Sequence, residues 1–380
     1  MWEKPRPEEE ILAELEKALA KDYHFSGGRV ISSMCTQPLE IAKRAHAMFI
    51  ESNLGNAGLY PGSLSLETQV ISAIGELLGG KGIAGGIVSG GTEANITALW
   101  MARNITGKKK VVFPKSAHFS FHKACDILAM EPVMVGLGDD YTIDIDEAAR
   151  KADRDTAAVV GIAGTTELGA VDDIRSLSEA TPDGVFLHVD AAFGGFVLPF
   201  LRKLGHAVPD FDFSIPGVSS LAVDPHKMGM STVPSGALLV RDREWFRRIH
   251  KEAPYLDTLG QLSALSGTRC SAAVAATYAA MGSLGTEGYV RMVGECMEVT
   301  RHALSRARKL GIEPVIEPVM NILCLKVDDP CGIQKKLDAK GWKVSVAQNP
   351  ASLRLVIMPH VTRESVDSLF AELECIMEGK

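Results

Sequence analysis

The sequence predicts an α/β fold: a large domain with a mostly parallel, seven-stranded sheet covered by helices on both faces, then a small C-terminal α+β domain. Three observations carry this. Between residues 83 and 240, short runs that are apolar along their whole length alternate with helical patterns, as in strands buried on both faces by crossover helices. Beyond residue 285 the pattern becomes a long helix followed by strands and helices in succession. Finally, 380 residues with 46% hydrophobic and 23% charged content are enough for one large core and a smaller one.

Residues 8–21 set Ile11, Leu12, Leu15 and Leu19 at helical spacing behind an acidic first turn. This amphipathic helix is expected to pack on the body or on a partner subunit. A helix over 38–52 leads to the glycine-rich loop Asn53-Leu-Gly-Asn-Ala-Gly-Leu-Tyr-Pro-Gly62 and a helix over 65–79. Strands are expected at 86–89, 110–113, 133–135, 157–162, 185–189, 220–223 and 236–240, with helices opening near Thr92 and Ser120. A long helix over 287–310, an apolar stretch at 314–327, a helix over 331–340, a strand at 352–358 and a last helix over 363–377 complete the reading. The expected division is an N-terminal helical segment (1–55), a large domain (56–285) and a small domain (286–380).

Bulk properties narrow the function. A net charge of -7, with basic runs as short as Lys108 to Lys110, offers no field for a phosphate backbone, so nucleic acid is not an expected partner. The first residues are charged and no apolar run approaches a bilayer span, so the expected location is the cytoplasm, without membrane contact. Seven scattered cysteines, none in a Cys-x-x-Cys pair, indicate reduced thiols rather than a disulfide framework or zinc ribbon. Gly75-x-x-x-x-Gly80-Lys81 imitates a nucleotide P-loop, but Gly82 replaces the hydroxyl residue and a helix precedes it, so an NTPase is rejected.

In parallel sheets, ligands bind at the carboxyl ends of the strands. Asp224-Pro-His-Lys227 closes one strand and His188-Val-Asp190 another. Lys227 there reads as a Schiff-base lysine, and Asp190 as the partner that keeps the ring nitrogen of pyridoxal phosphate protonated. Ser89-Gly90-Gly91-Thr92-Glu-Ala-Asn95, between a strand and a helix, reads as a phosphate cradle or as simple turn chemistry. His118 follows the next strand and suits stacking over a pyridine ring, with a core histidine or metal ligand as alternatives. Phe119 and Phe121 beside it read as packing residues. His118, His122, His188 and Asp190 offer the donors of a zinc site, but no His-Glu-x-x-His pattern accompanies them, and no metal is expected. The hydroxyls of Gly164-Thr165-Thr166 suit a ring hydroxyl or a substrate carboxylate, a polar turn being the equal alternative. Arg354, on an apolar strand, suits a carboxylate. Tyr60, in the glycine-rich loop, is placed in the substrate pocket.

These motifs, with His118-Phe-Ser, Gly164-Thr-Thr, His188-Val-Asp-Ala-Ala-Phe193 and Asp224-Pro-His-Lys227 in that order, resemble the group II PLP-dependent amino-acid decarboxylases. The resemblance extends over nearly the whole chain, and its short form is similar to the archaeal L-tyrosine/L-aspartate decarboxylase branch. It implies the aspartate aminotransferase-like fold (fold type I), pyridoxal 5'-phosphate, an amino-acid substrate and a homodimer with shared sites. Tyrosine would give tyramine for methanofuran, and aspartate would give beta-alanine for coenzyme A. It also implies roles: Lys227 as anchor, Asp190 as ring-nitrogen partner, His118 as stacking histidine and His226 beside the lysine. Gly90, Gly91 and Thr92 form the phosphate loop, Thr165 and Ala192 are further cofactor contacts, and Gly267 and Thr268 reach the neighbouring subunit's phosphate. Larger relatives carry a long loop with a proton-donating tyrosine; here the stretch 254–266 is short and holds only Tyr255. The expected proton donor is therefore His118 or Tyr255. The rivals are another reaction of the same cofactor, a metal-dependent hydrolase, and a silent binding subunit.

Overall fold

Strands that are apolar at every position need cover on both sides, and the sheet supplies it. In the computed structural model, which describes residues 4–251 and 264–378, seven strands form one sheet: β1 Ala84–Val88, β2 Lys110–Pro114, β3 Glu131–Val135, β4 Thr156–Ile162, β5 Phe186–Asp190, β6 Val218–Val223 and β7 Gly236–Val240. Their order is β1-β7-β6-β5-β4-β2-β3, and only β7 runs against its neighbours. The four central strands are buried at every residue, whereas edge strand β3 is largely exposed. Successive side chains go to opposite faces. Val112, Val159 and Leu187 join one core with the helices Pro61–Leu77 and Ser271–Lys309. Val111, Val160 and Phe186 join the other, with Gly91–Thr106 and Ser120–Leu128.

The long helix begins at Ser271, sixteen residues before its expected start near 287, and runs to Lys309 with a break at Gly285. The alanine-rich run from Ser271 favours helix, and Gly285 takes the break at φ 54°, a region glycine tolerates best. A second, antiparallel sheet lies in the C-terminal region: β8 Ile322–Leu325, β9 Ser345–Gln348 and β10 Ala351–Val356, in the order β8-β10-β9. Strand β9, four residues long and half polar, carries no alternating apolar signal in the sequence. The helices Pro330–Ala339 and Arg363–Met377 cover this sheet, and Leu323, Leu355 and Phe370 share its core with Ile31.

The helix Glu8–Leu19 buries none of its residues, and Ile11, Leu12, Leu15 and Leu19 are 42–60% exposed. Of the two expected packings, the one against the chain's own body is therefore not what the fold adopts. Among the described residues no helix is long and apolar enough to cross a membrane. All seven cysteines are free thiols.

Candidate active site

The register sets Ile162 level with Asp190, and Asp190 level with Ala222, so the carboxyl ends of β4, β5 and β6 finish together. The turns that leave them surround a cavity of about 330 Å3, whose walls include Gly90, Gly91, Thr92, His118, Asp190, Ala192, His226 and Lys227. Segments up to 193 residues apart in sequence, from Met34 to Lys227, thus supply one site.

Lys227 stands on the turn after β6, its N–H bonded to Asp224 O at 3.0 Å. Its Nζ lies 3.0 Å from Asp224 Oδ2. Burial works against the ammonium, but Asp224 and Asp190 together outweigh it and hold the Lys227 pKa above its ordinary value. The lysine is charged in this state and must lose a proton before it can attack a carbonyl. Asp224 Oδ1 is buried without a hydrogen-bond partner. His226 bonds Ser235 O through Nδ1, and its Nε2 is 3.8 Å from Asp224 Oδ2.

The loop before helix Gly91–Thr106 is shaped by close approach. Gly90 holds φ 155°; a Cβ on Gly236 would collide with the Gly90 backbone, and one on Gly91 would meet Ala192 Cβ at 3.1 Å and Asp224 Oδ2 at 3.2 Å. Glu93 Oε2 accepts from Ser89 N at 2.7 Å, fixing the entry to the helix. The first N–H groups of that helix have no intrahelical acceptor, and they open beside Thr92 on the cavity wall. The lysine, the free N–H groups at the helix start, the Asp190 carboxylate and the orphaned Asp224 oxygen are chemically suited to pyridoxal phosphate.

Asp190 is fixed by two donors: Ala192 N at 3.0 Å to Oδ1 and Asn95 Nδ2 at 2.9 Å to Oδ2. His118 Nδ1 is 3.0 Å from Ser120 Oγ and 3.3 Å from Ser120 N. Burial lowers the His118 pKa more than Asp190 raises it, so the ring is held below its ordinary value. His188 bonds Ser220 and Asn95 through its two ring nitrogens, and the His122 ring sits edge-on to Phe113 at 5.1 Å. No group of three or more His, Cys, Asp or Glu residues among those described could hold a metal.

Several expected residues stand elsewhere. Thr165 is 2% exposed and off the cavity wall, because its hydroxyl accepts from Ala170 N at 3.0 Å within its own turn; Gly164 and Thr166 face the cavity instead. Arg354 is not on the wall but behind it, its Nε donating to Thr166 O at 2.8 Å. Tyr60 is not on the wall either. Gly267 and Thr268 are exposed and lie beside the 53–60 loop, where Leu54 N bonds Arg269 O at 2.9 Å. Tyr255 falls outside the described residues.

Residues without an assigned role also line the cavity: Met34, Asn95, Asp224 and Phe119. Phe121 is fully buried, as a packing residue should be, but Phe119 is 60% exposed, with its ring 4.1 Å from that of His118. A signal existed for Asn95, which lies one helical turn beyond Gly91 and so on the same face.

A family model described as the pyridoxal-dependent decarboxylase conserved domain matches residues 4–327. The chain is 46% identical to a probable L-tyrosine/L-aspartate decarboxylase of Methanothrix thermoacetophila, over 99% of this chain and 97% of that one. It is 44% identical to a protein of the same name from Methanothermobacter thermautotrophicus, over 93% and 98%. Among solved structures, a sphingosine-1-phosphate lyase of Burkholderia pseudomallei superposes with a TM-score of 0.90 at 26% identity, covering 100% of this chain and 92% of that one. A glutamate decarboxylase of Lactobacillus brevis superposes at 0.86 with 20% identity, covering 100% and 94%, a likeness of fold.

Proposed function

This chain belongs to the pyridoxal-dependent decarboxylase family, and on that premise we propose that it converts L-tyrosine to tyramine, L-aspartate to beta-alanine, or both, in the cytoplasm, serving methanofuran or coenzyme A synthesis. The observation that carries the reading is a single cavity holding Lys227, Asp190, His118 and the Gly90-Gly91-Thr92 loop, in a chain that matches decarboxylases named for those two substrates over nearly its whole length.

When bound, pyridoxal phosphate supplies the electron sink that makes loss of CO2 from an amino acid accessible. In this reading Lys227 anchors the cofactor, the backbone at Gly90, Gly91 and Thr92 cradles its phosphate, and Asp190 faces its ring nitrogen. The His118 Nδ1 lone pair takes the Ser120 donors, which leaves the neutral ring with its proton on Nε2; as one proposed donor to the substrate's α-carbon it acts from the imidazolium form, so that giving up a proton returns the neutral ring. Tyr255 is the other proposed donor. Arg354 is the proposed carboxylate clamp: it is 7% exposed and its Nη2 is buried without a partner.

We also propose a homodimer with shared sites. Its support is the exposed stripe of helix Glu8–Leu19, together with exposed Met48, Ile50 and Leu59. Gly267, Thr268 and the loop bearing Tyr60, which are off the cavity of their own chain, would then serve the neighbouring copy's.

The test is to supply purified protein with pyridoxal phosphate and offer L-tyrosine, L-aspartate and L-glutamate separately, identifying CO2 and amine. Tyramine or beta-alanine that disappears in Lys227→Ala is the expected result. A requirement for a keto acid, or no amine from any substrate, would overturn the reading. Sedimentation of the same sample reads the dimer.

A further inference from the structure

Behind Asp190 lies a sealed row of polar side chains with no part yet in the chemistry. His188 and Asp190, two residues apart on β5, point to the same face, toward helix Gly91–Thr106. His188 and Ser120 are fully buried and Asn95 is 1% exposed. His188 Nδ1 lies 2.7 Å from Ser220 Oγ, and its Nε2 lies 2.9 Å from Asn95 Oδ1. Asn95 Nδ2 donates to Asp190 Oδ2 at 2.9 Å and to Ser120 Oγ at 3.0 Å, and Ser120 Oγ is 3.0 Å from His118 Nδ1.

Counting donors fixes every proton in this row. Asp190 takes N–H donors on both oxygens, so the amide must turn its NH2 side to the carboxylate and its oxygen to His188. An amide oxygen only accepts, so His188 carries its proton on Nε2. Burial pushes the His188 pKa down to about 4, so the ring is neutral near pH 7 and its Nδ1 accepts the Ser220 hydroxyl proton. At the other end, the Ser120 backbone N–H can only donate and does so to His118 Nδ1 at 3.3 Å, so Nδ1 is an acceptor, and Ser120 Oγ, which accepts from Asn95, sends its own proton there too. The remaining proton of His118 is thereby assigned to Nε2.

We propose that Asn95, locked in orientation by His188, is a positioning residue that acts on the reaction through two others: it orients the Asp190 carboxylate and, by way of Ser120, keeps the His118 proton on Nε2. One amide thus couples the group that faces the cofactor ring to the group that moves the proton. The inference rests on the decarboxylase reading, but its first test does not.

Two-bond 1H–15N spectra of the histidine-labelled protein without cofactor should show both His118 and His188 as the Nε2–H tautomer; an Nδ1–H form at either ring overturns the proposal. That measurement needs no variant and no activity. In cofactor-loaded Asn95→Leu, kcat should fall by about tenfold or more with KM changed by less than about threefold, and the pH midpoint of the cofactor's visible absorption should move. A merely structural Asn95 would lower the melting temperature and leave that midpoint in place, and a folded variant with wild-type kcat and midpoint sinks the idea. Absence of amine in the wild type would instead count against the decarboxylase reading, with the spectra still judging the network.

Discussion

Arg269 and Arg354 are both 7% exposed, yet the regions around them use a buried guanidinium in opposite ways. Arg269 lies where segment 266–270 meets the 53–60 loop and β1. It is paired with Glu67, itself 2% exposed, and donates to Ile87 O at 3.3 Å, while Glu67 Oε1 accepts from Ile87 N at 2.8 Å. Arg354, on β10, makes no carboxylate ion pair among the described residues. It donates to the carbonyls of Thr166, Glu167 and Ser32 and to Ser345 Oγ, and leaves Nη2 unpartnered. Carbonyl dipoles solvate a guanidinium without neutralising it. The first region is a charge-neutral joint, although Glu67 Oε2 is also buried without a partner, while the second holds an un-neutralised positive charge next to the cavity wall.

The largest expected effect breaks the joint. Glu67→Ala leaves Arg269 buried and unpaired and should lower unfolding free energy by about 3–5 kcal/mol, whereas Glu67→Leu combined with Arg269→Met should recover much of that loss. Urea titrations of the three proteins decide this, and a Glu67→Ala loss below about 1 kcal/mol would mean the pair is not a joint.

The next effect extends the contrast to a buried group satisfied without charge. Below pH 6.5 the unfolded chain protonates its histidine, while folded His188 stays neutral until about 4. The stability it contributes is therefore present above 6.5 and lost as pH falls across that window, by up to about 3 kcal/mol. Asp172 works with the opposite sign. Burial pushes it up to about 7 despite hydrogen bonds from Ile143 N and Ile162 N, so its contribution is present below the ordinary aspartate range and lost as pH rises through 7. Because Asp172 is common to wild type and His188→Phe, the difference between their pH profiles isolates the histidine, and it should shrink on acidification.

Arg354→Met should act on binding, raising KM by about tenfold to a hundredfold. A rise confined to aspartate would assign the clamp to the side-chain carboxylate, and a rise for both substrates to the α-carboxylate. An unchanged KM with a lowered melting temperature would make Arg354 a second joint and erase the contrast. The smallest expected effect is at Phe119, where loss of an aromatic contact worth about 0.5–1.5 kcal/mol should weaken tyrosine and spare aspartate in Phe119→Ala. Equal changes for the two substrates would remove it from side-chain selection.

The sequence by itself determined the sheet and most of the cavity's chemical groups. Continuous apolar runs fold as doubly covered strands whatever surrounds them. Lys227, Asp190, His118 and Gly91 were legible because each lies within five residues of the end of such a run, and the carboxyl ends of parallel strands converge. Tertiary structure alone decided which neighbour in a turn faces inward: Thr166 rather than Thr165, whose hydroxyl bonds Ala170 N, and Phe119, whose partner Phe121 goes to the core. It also decided that Asn95 and His188, 93 residues apart, meet behind Asp190, and that Arg354 stands behind the wall while Gly267 and Thr268 stand outside it. Periodicity reports which face of its own strand or helix a side chain occupies. Hydrogen-bond pairing between elements depends on their register and spacing in three dimensions, which no local pattern encodes.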